Sequence, residues 1–281
     1  MTNNKIDELN TILDSLDAIN EGCATEFHIP SQKGTLKFSP ITITHQHMLN
    51  EIEDDIWSTG AEQLNYIRFC EAYDKIIKDT CLDDVDVDTL LTIDRIAVAL
   101  QHRIQIGKDV NIIIEEEDDP VTIDLSKIPA AIKKITPGKL TKKLKYEKVQ
   151  ITVGFPTLKH DRSINEIIQK ILDIDNHGTV TTDDVEDVIE DNFADILMAL
   201  LAKHILEINI DGNIVSLDSG IEPDVYISAI QKLPLTLLKK VNESYVSYKG
   251  VETDLLTINH TKGKKSTDIL LDITTGLFTG I

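Results

Sequence analysis

The sequence predicts an α+β fold, mainly helical, with a small antiparallel β element near the middle of the chain. Apolar residues recur at three- and four-residue spacing through most of its 281 residues, the mark of helices with one buried face. That period breaks in VNIIIEEEDDPVTIDL and KVQITVGFPTL, where β-branched residues favour extended backbone. Strands and helices do not alternate as a doubly wound sheet requires. With 41% hydrophobic residues and only 5% aromatic ones, the chain can bury a core, and that core should be aliphatic.

The elements follow in order. Ile6, Leu9, Leu13 and Leu16, with Ile12 and Ile19 beside them, form an apolar stripe between acidic positions, and Gly22 is placed to end that helix. In FHIPSQKGTLKFSPITIT, two short extended pieces meet at a turn around Gln32 to Gly34. Thr44 can cap a helix starting near His45, and about three helices then run to Gly107. A hairpin spans Val110 to Leu125 around the acidic tip Glu115 to Asp119, whose charges would discourage edge pairing. A Lys-rich linker leads to the strand KVQITVGFPTL, and helical periodicity returns after Asp161. Asp211-Gly212 suits a tight turn in EINIDGNIVSL. The last helices are expected at Pro223 to Ser247 and, briefly, at the C-terminus. The pattern divides the chain into an amphipathic arm (residues 1–24), a helical region with an extended entry (25–107), a hairpin and strand region (108–158) and a C-terminal helical region with a small hairpin (159–281).

Charge limits the function classes. Against 28 Lys plus Arg stand 48 Asp plus Glu, and a formal charge of −20 repels a phosphate backbone, which argues against nucleic-acid binding and suits a basic protein partner. Three scattered cysteines describe neither a disulfide framework nor a zinc site and fit a reducing compartment. No signal-peptide pattern and no apolar run of membrane-spanning length is present, so a cytosolic protein is expected.

Candidate sites are sparse. Asp173-Ile174-Asp175-Asn176-His177-Gly178-Thr179-Val180 tracks a calcium loop, with Asp184 at its twelfth position. His177 stands where an oxygen ligand is expected, and Asp184 lacks the bidentate reach of Glu, so an Asx- and Gly-rich turn is favoured. His45 and His47 on a helix point apart and would not share a metal. Gly263-Lys264-Lys265-Ser266 lacks the earlier glycine of a phosphate-binding loop, since Ile258 occupies that place. No catalytic residue, cofactor or metal site is assigned. The stripe Ile6, Leu9, Leu13 and Leu16 is the candidate partner-binding surface, able to dock on a partner or on its own body.

Ile29-Pro30-Ser31, Gly34 and Leu36-Lys37-Phe38-Ser39-Pro40-Ile41-Thr42-Ile43 resemble the opening signature of the T-even-like phage baseplate hub-assembly family. Val87 to Arg95 followed by Ala97 to Gly107, then Val149 to Pro156 and Ile230-Gln231-Lys232-Leu233-Pro234, continue the likeness, which covers residues 27 to 281. The resemblance implies a non-enzymatic protein of the contractile tail, acting in assembly or structure of the baseplate hub or central spike. It implies partners among other tail and baseplate proteins, and a place in the host cytoplasm during assembly or in the virion baseplate. It brings no active-site residues. The alternative is an acidic binding module with a degenerate EF-hand-like loop at Asp173–Asp184.

The loop departures generate a direct test. Millimolar calcium should leave the thermal midpoint unchanged, because only a ligand that binds the folded state raises it by mass action. A saturable rise abolished by Asp173→Ala would assign the loop to calcium instead.

Overall fold

The computed structural model describes residues 12–13, 15–16, 18–32, 34–59, 62–112, 120–171, 192–262, 265–273 and 277–278. It is an α+β fold with a mainly helical body. The expected calcium loop with Asp173, Asp175 and Asp184, the acidic tip at Glu115 to Asp119, and Ile6 and Leu9 lie outside the described residues.

β1 (Thr25–His28) and β2 (Thr35–Phe38) form an antiparallel hairpin whose inward residues are Phe27, Leu36 and Phe38. The Phe27 and Phe38 rings stack at 5.1 Å, and both meet the His102 ring edge-on. Ser39 N–H donates to the Thr80 carbonyl and Leu82 N–H to the Lys37 carbonyl, so β2 also fastens the chain leaving the second helix.

Three helices follow: α1 (Ile43–Thr59), α2 (Glu62–Thr80) and α3 (Thr92–Ile106). The start of α1 differs from the expected Thr44 cap. Helix begins at Ile43, and the His45 ring Nδ1 accepts from the Thr42 N–H at 3.0 Å. A helix side chain reaching back to the residue before the first turn satisfies an otherwise unpaired donor there.

β3 (Asp109–Ile112) and β4 (Val121–Asp124) form the expected antiparallel hairpin. The Lys-rich stretch is more than a linker. After the short helix α4 (Ile128–Ile132) it contains β5 (Thr141–Tyr146), an edge strand of a four-stranded sheet in the order β5-β6-β7-β8. β6 (Val149–Gly154) is the expected apolar strand. β7 (Ile205–Ile210) and β8 (Asn213–Val215) are the expected small hairpin, turning through Asp211 at φ 50° and Gly212 at φ 91°. Left-handed backbone at both central positions suits a tight two-residue turn, for which Asp-Gly is favoured.

Register explains the lysines of β5. Leu144, Ile151, Ile208 and Val215 pair across the four strands and share one face of the sheet, and α8 packs against β5 and β6. Lys143, Thr152 and Glu207 pair on the opposite, polar face. Charge on an edge strand also discourages pairing with another sheet.

α5 (Leu158–Ile171), α6 (Phe193–His204), α7 (Pro223–Gln231) and α8 (Leu235–Leu256) follow among the described residues. The expected C-terminal helix is replaced by an antiparallel hairpin, β9 (Thr257–Lys262) with β10 (Lys265–Leu270). Thr257, Ile258, Thr261 and Thr267 are β-branched, and cross-strand pairing outweighs the weak helical spacing of the apolar residues there. Beyond it, Leu277 and Phe278 return to the core, where the Leu277 carbonyl accepts from Arg103 Nε at 2.6 Å.

One apolar cluster among the described residues runs from Phe27 to Phe278 through both helices and sheets. Among its tightest joints is Gly154 at the end of β6. A Cβ there would collide with the Leu140 carbonyl, which already accepts the Phe155 N–H. Gly154→Ala should therefore lower stability by about 1–3 kcal/mol, the usual cost of forcing volume into a packed site. Gly138→Ala, which meets nothing within 4 Å, should cost far less. Chemical denaturation of both variants checks the contrast.

Candidate functional site

Two features concentrate polar or unpartnered chemistry: a buried cluster of charges between helices, and an exposed apolar helix at the N-terminus.

The cluster begins with backbone pairing. Leu91 and Thr157 form an isolated antiparallel bridge, Thr92 N–H donates to the Pro156 carbonyl, and Leu158 N–H donates to the Leu90 carbonyl. α3 and α5 therefore start side by side. One turn into each helix stand Arg95 and Asp161, brought together because residues four apart lie on one helix face. Arg95 Nη1 donates to Asp161 Oδ2 at 3.0 Å, while its Nε and Nη2 hold both oxygens of Asp74, on α2, at 2.7 and 3.1 Å. Lys203, on α6, contacts Asp161 Oδ1 at 3.0 Å and donates to Asn165. Arg162 lies 3.5 Å from Asp74 and 2.8 Å from Asp88, at the solvent margin of the cluster.

Arg95, Asp74, Asp161 and Lys203 are all buried, with Arg95 only 1% exposed. Two cations face two carboxylates, so the buried charges balance. Burial raises the Asp74 carboxyl above its ordinary range, despite Arg95. For Asp161, burial acts in the same direction but is overcome by Lys203 and Arg95, which hold it well below that range. Asp161 thus stays ionised and is unsuited to carrying protons near neutrality.

A second buried carboxylate, Asp94, joins two distant segments. Its Oδ2 accepts the Leu91 N–H at 2.7 Å, capping α3, and its Oδ1 accepts the Ser31 N–H of the β1–β2 turn at 2.8 Å. Burial nevertheless raises it to about 6. Nearby, Gln101 accepts the His28 N–H and donates to the His28 carbonyl, fixing β1 against α3.

Three other enclosed groups are held in their neutral forms. Burial lowers His102 to about 3 and His204 to about 4 and pushes the Cys70 thiol up to about 12. Tyr73 Oη and His102 Nδ1 pair at 2.8 Å, and His204 Nδ1 meets the Gly154 carbonyl at 3.1 Å. A protonated thiol is a poor nucleophile, so these groups pack and bridge. His45 is buried and His47 exposed, as helical spacing requires, and no group of three potential metal-binding side chains occurs among the described residues. Nor is any helix among them long and apolar enough to cross a membrane.

The N-terminal segment has the opposite character. Its described residues between 12 and 22 are helical, and Ile12, Leu13, Leu16 and Ile19 are 56%, 49%, 50% and 60% exposed. Of the candidate partner-binding residues, Leu13 and Leu16 therefore lie on an uncovered face rather than against the body. Sequence reading did not find the charge cluster. The available signal was Asp94-Arg95 inside the apolar run of α3, but Asp74, Asp161 and Lys203 are brought to it only by helix packing.

Comparison with family models, with curated proteins and with solved structures gives no match for this chain.

The cluster predicts a pH signature with two opposed slopes. An unfolded Asp titrates at about 3.9, so Asp161, lower when folded, contributes stability that is complete above about 4 and lost as pH falls. Asp94, raised to about 6, contributes stability complete below about 3.9 that is lost as pH rises through 6. Asp161→Asn should cost about 3–5 kcal/mol near neutrality and flatten the acid limb, because it leaves buried cations underpaired. Asp94→Asn should remove the decline from about 4 to about 6. Urea unfolding across this range checks both, and a cost below about 1 kcal/mol for Asp161→Asn would show that the cluster is not a structural keystone.

Proposed function

We propose that this protein acts, without catalysis, in assembly or structure of the baseplate hub or central spike of a contractile phage tail, through contacts with other tail proteins. The observation that carries the reading is the uncovered apolar face of Ile12, Leu13, Leu16 and Ile19 on a helix with no basic residue between positions 12 and 22. An amphipathic helix presented in this way is suited to a partner's apolar groove.

The family resemblance supplies the context, and the position of its residues supports a structural signature. Ile29 and Phe38 are fully buried, Ser31 is tied to Asp94, and Arg95 anchors the ion cluster. These residues build the frame of the hairpin and helices that follow the N-terminal segment. Mutual neutralisation of the buried charges likewise supports a supporting role for them rather than a reactive one.

On this reading the partners are other tail proteins, a basic one among them, met in the host cytoplasm during assembly. Opposite net charges hasten encounter, while buried apolar contacts slow dissociation. Full-length protein, immobilised and exposed to lysate of phage-infected cells, should retain tail proteins, and Leu13→Glu/Leu16→Glu should lose the main one. The on-rate for that partner should fall between low and physiological salt. Recovery of nucleic acid or host enzymes alone would defeat the assembly reading, and a salt-independent on-rate would remove the role given to charge.

A further inference from the structure

We infer that a groove along α8 receives the N-terminal helix of a second copy of this chain, so that the protein self-associates head to tail. The inference rests on the reading above that the exposed helix is a protein-docking element, and it names the first surface that element meets.

The groove is a row of neighbouring hollows. One, of about 560 Å³, lies between the β5 edge and α8. The next, of about 270 Å³, shares Lys139 with it and continues towards the end of α8. A third, of about 350 Å³, shares Ala131 and Leu255 with the second and reaches β9. Along this row α8 presents Lys240, Ser244, Tyr248, Val251 and Leu255, spaced three or four apart as one helix face. From Lys240 to Leu255 that face extends about 22 Å at about 1.5 Å per residue, against about 16 Å for a helix over residues 12–22.

Chemistry matches as well as length. Leu140, Leu144, Tyr248 and Leu255 give the first two hollows an apolar floor. Lys134, Lys139, Lys142 and Lys240 stand there against Glu243 and Asp254, four cations to two anions. On a chain with a formal charge of −20 this is a locally positive patch. The N-terminal segment offers the complement: its exposed apolar residues are Ile12, Leu13, Leu16 and Ile19, and its sequence from 12 to 22 carries three acidic residues and no basic one. Opposite net charge draws this acidic segment to the lysines, and its apolar face can then cover the floor.

The connector selects a second copy over the same chain. Only Cys23 and Ala24 separate the helix from β1, and their N–H groups are bound back to the carbonyls of Ile19, Asn20 and Glu21. Gln105 Nε2 donates to the Cys23 carbonyl and to Thr25 Oγ1, pinning the exit to the end of α3. So short and bonded a link holds the stripe away from its own body.

A head-to-tail contact has a signature that a symmetric one lacks, because each copy uses two different surfaces. In light scattering across a concentration series, the full chain should self-associate, more weakly as salt rises. The helix variant Leu13→Glu/Leu16→Glu and the groove variant Lys139→Glu/Lys142→Glu should each remain monomeric, yet an equimolar mixture should form a one-to-one complex from the intact groove of the first and the intact helix of the second. A labelled peptide of residues 8–22 should bind the full-length helix variant, and the charge reversal should weaken that binding by about tenfold or more. The peptide titration stands even if the double helix variant folds poorly, since wild-type chain diluted to monomer serves equally. A wild-type chain that stays monomeric, association untouched by either variant, or a mixture that fails to complement overturns the inference. A monomeric chain that still captures tail proteins would defeat self-docking and leave the assembly role standing. Self-association with complementation but no capture of tail proteins would support the groove and defeat that role.

Discussion

A guanidinium cannot be left unpaired in an aliphatic core, and much of the helical arrangement follows from how Arg95 is satisfied. Asp74 comes from α2, Asp161 from α5, and Lys203 reaches Asp161 from α6. Four helices are thereby held in one relative register. Apolar packing alone tolerates small slides of one helix past another, whereas a two-pronged contact from Arg95 to Asp74 fixes both direction and distance. Net stabilisation need not be large for this to matter, because burying each ion is itself costly. What the cluster supplies is geometric selection.

Backbone pairing prepares that selection. The bridge between Leu91 and Thr157 starts α3 and α5 at one point, and the carboxylate of Asp94 ties the same helix end to the β1–β2 turn. The β1–β2 hairpin, in turn, stacks two Phe rings against His102 on α3. One helix therefore serves as the reference for an early hairpin, two neighbouring helices and, through Arg103 and Leu277, the end of the described chain. The second layer, β5 to β8 with α8, is held together by the Phe155 and Tyr248 rings, the Tyr248 hydrogen bond to the Val153 carbonyl and the aliphatic ladder beginning at Leu144.

This division of labour bears on function. Buried charges are paired with one another inside, while the described surface carries an exposed apolar helix and a lysine-rimmed groove. Overall negative charge keeps copies apart at long range, so local complementarity must be short-ranged and directional for docking to occur.

Much of the fold was legible in the sequence because local periodicity carries it. The apolar spacing from Met48 to Ile104 specified helices, β-branched runs specified β3, β4 and β6, and Asp211-Gly212 specified its turn, each through backbone preferences that act within a few residues. The lysines of β5 concealed a strand, since an edge strand with one solvent face exposes charge that a local reading assigns to a linker. The C-terminal hairpin was missed because its stabilising partner is another strand, which no single window contains. For the same reason sequence identified Leu13 and Leu16 as a candidate docking stripe but could not say whether the body covers them. Asp74, Arg95, Asp161 and Lys203 lie up to 129 positions apart (203 − 74), and only tertiary packing, which brings four helix faces to one dry point, turns those scattered charges into a single neutral cluster.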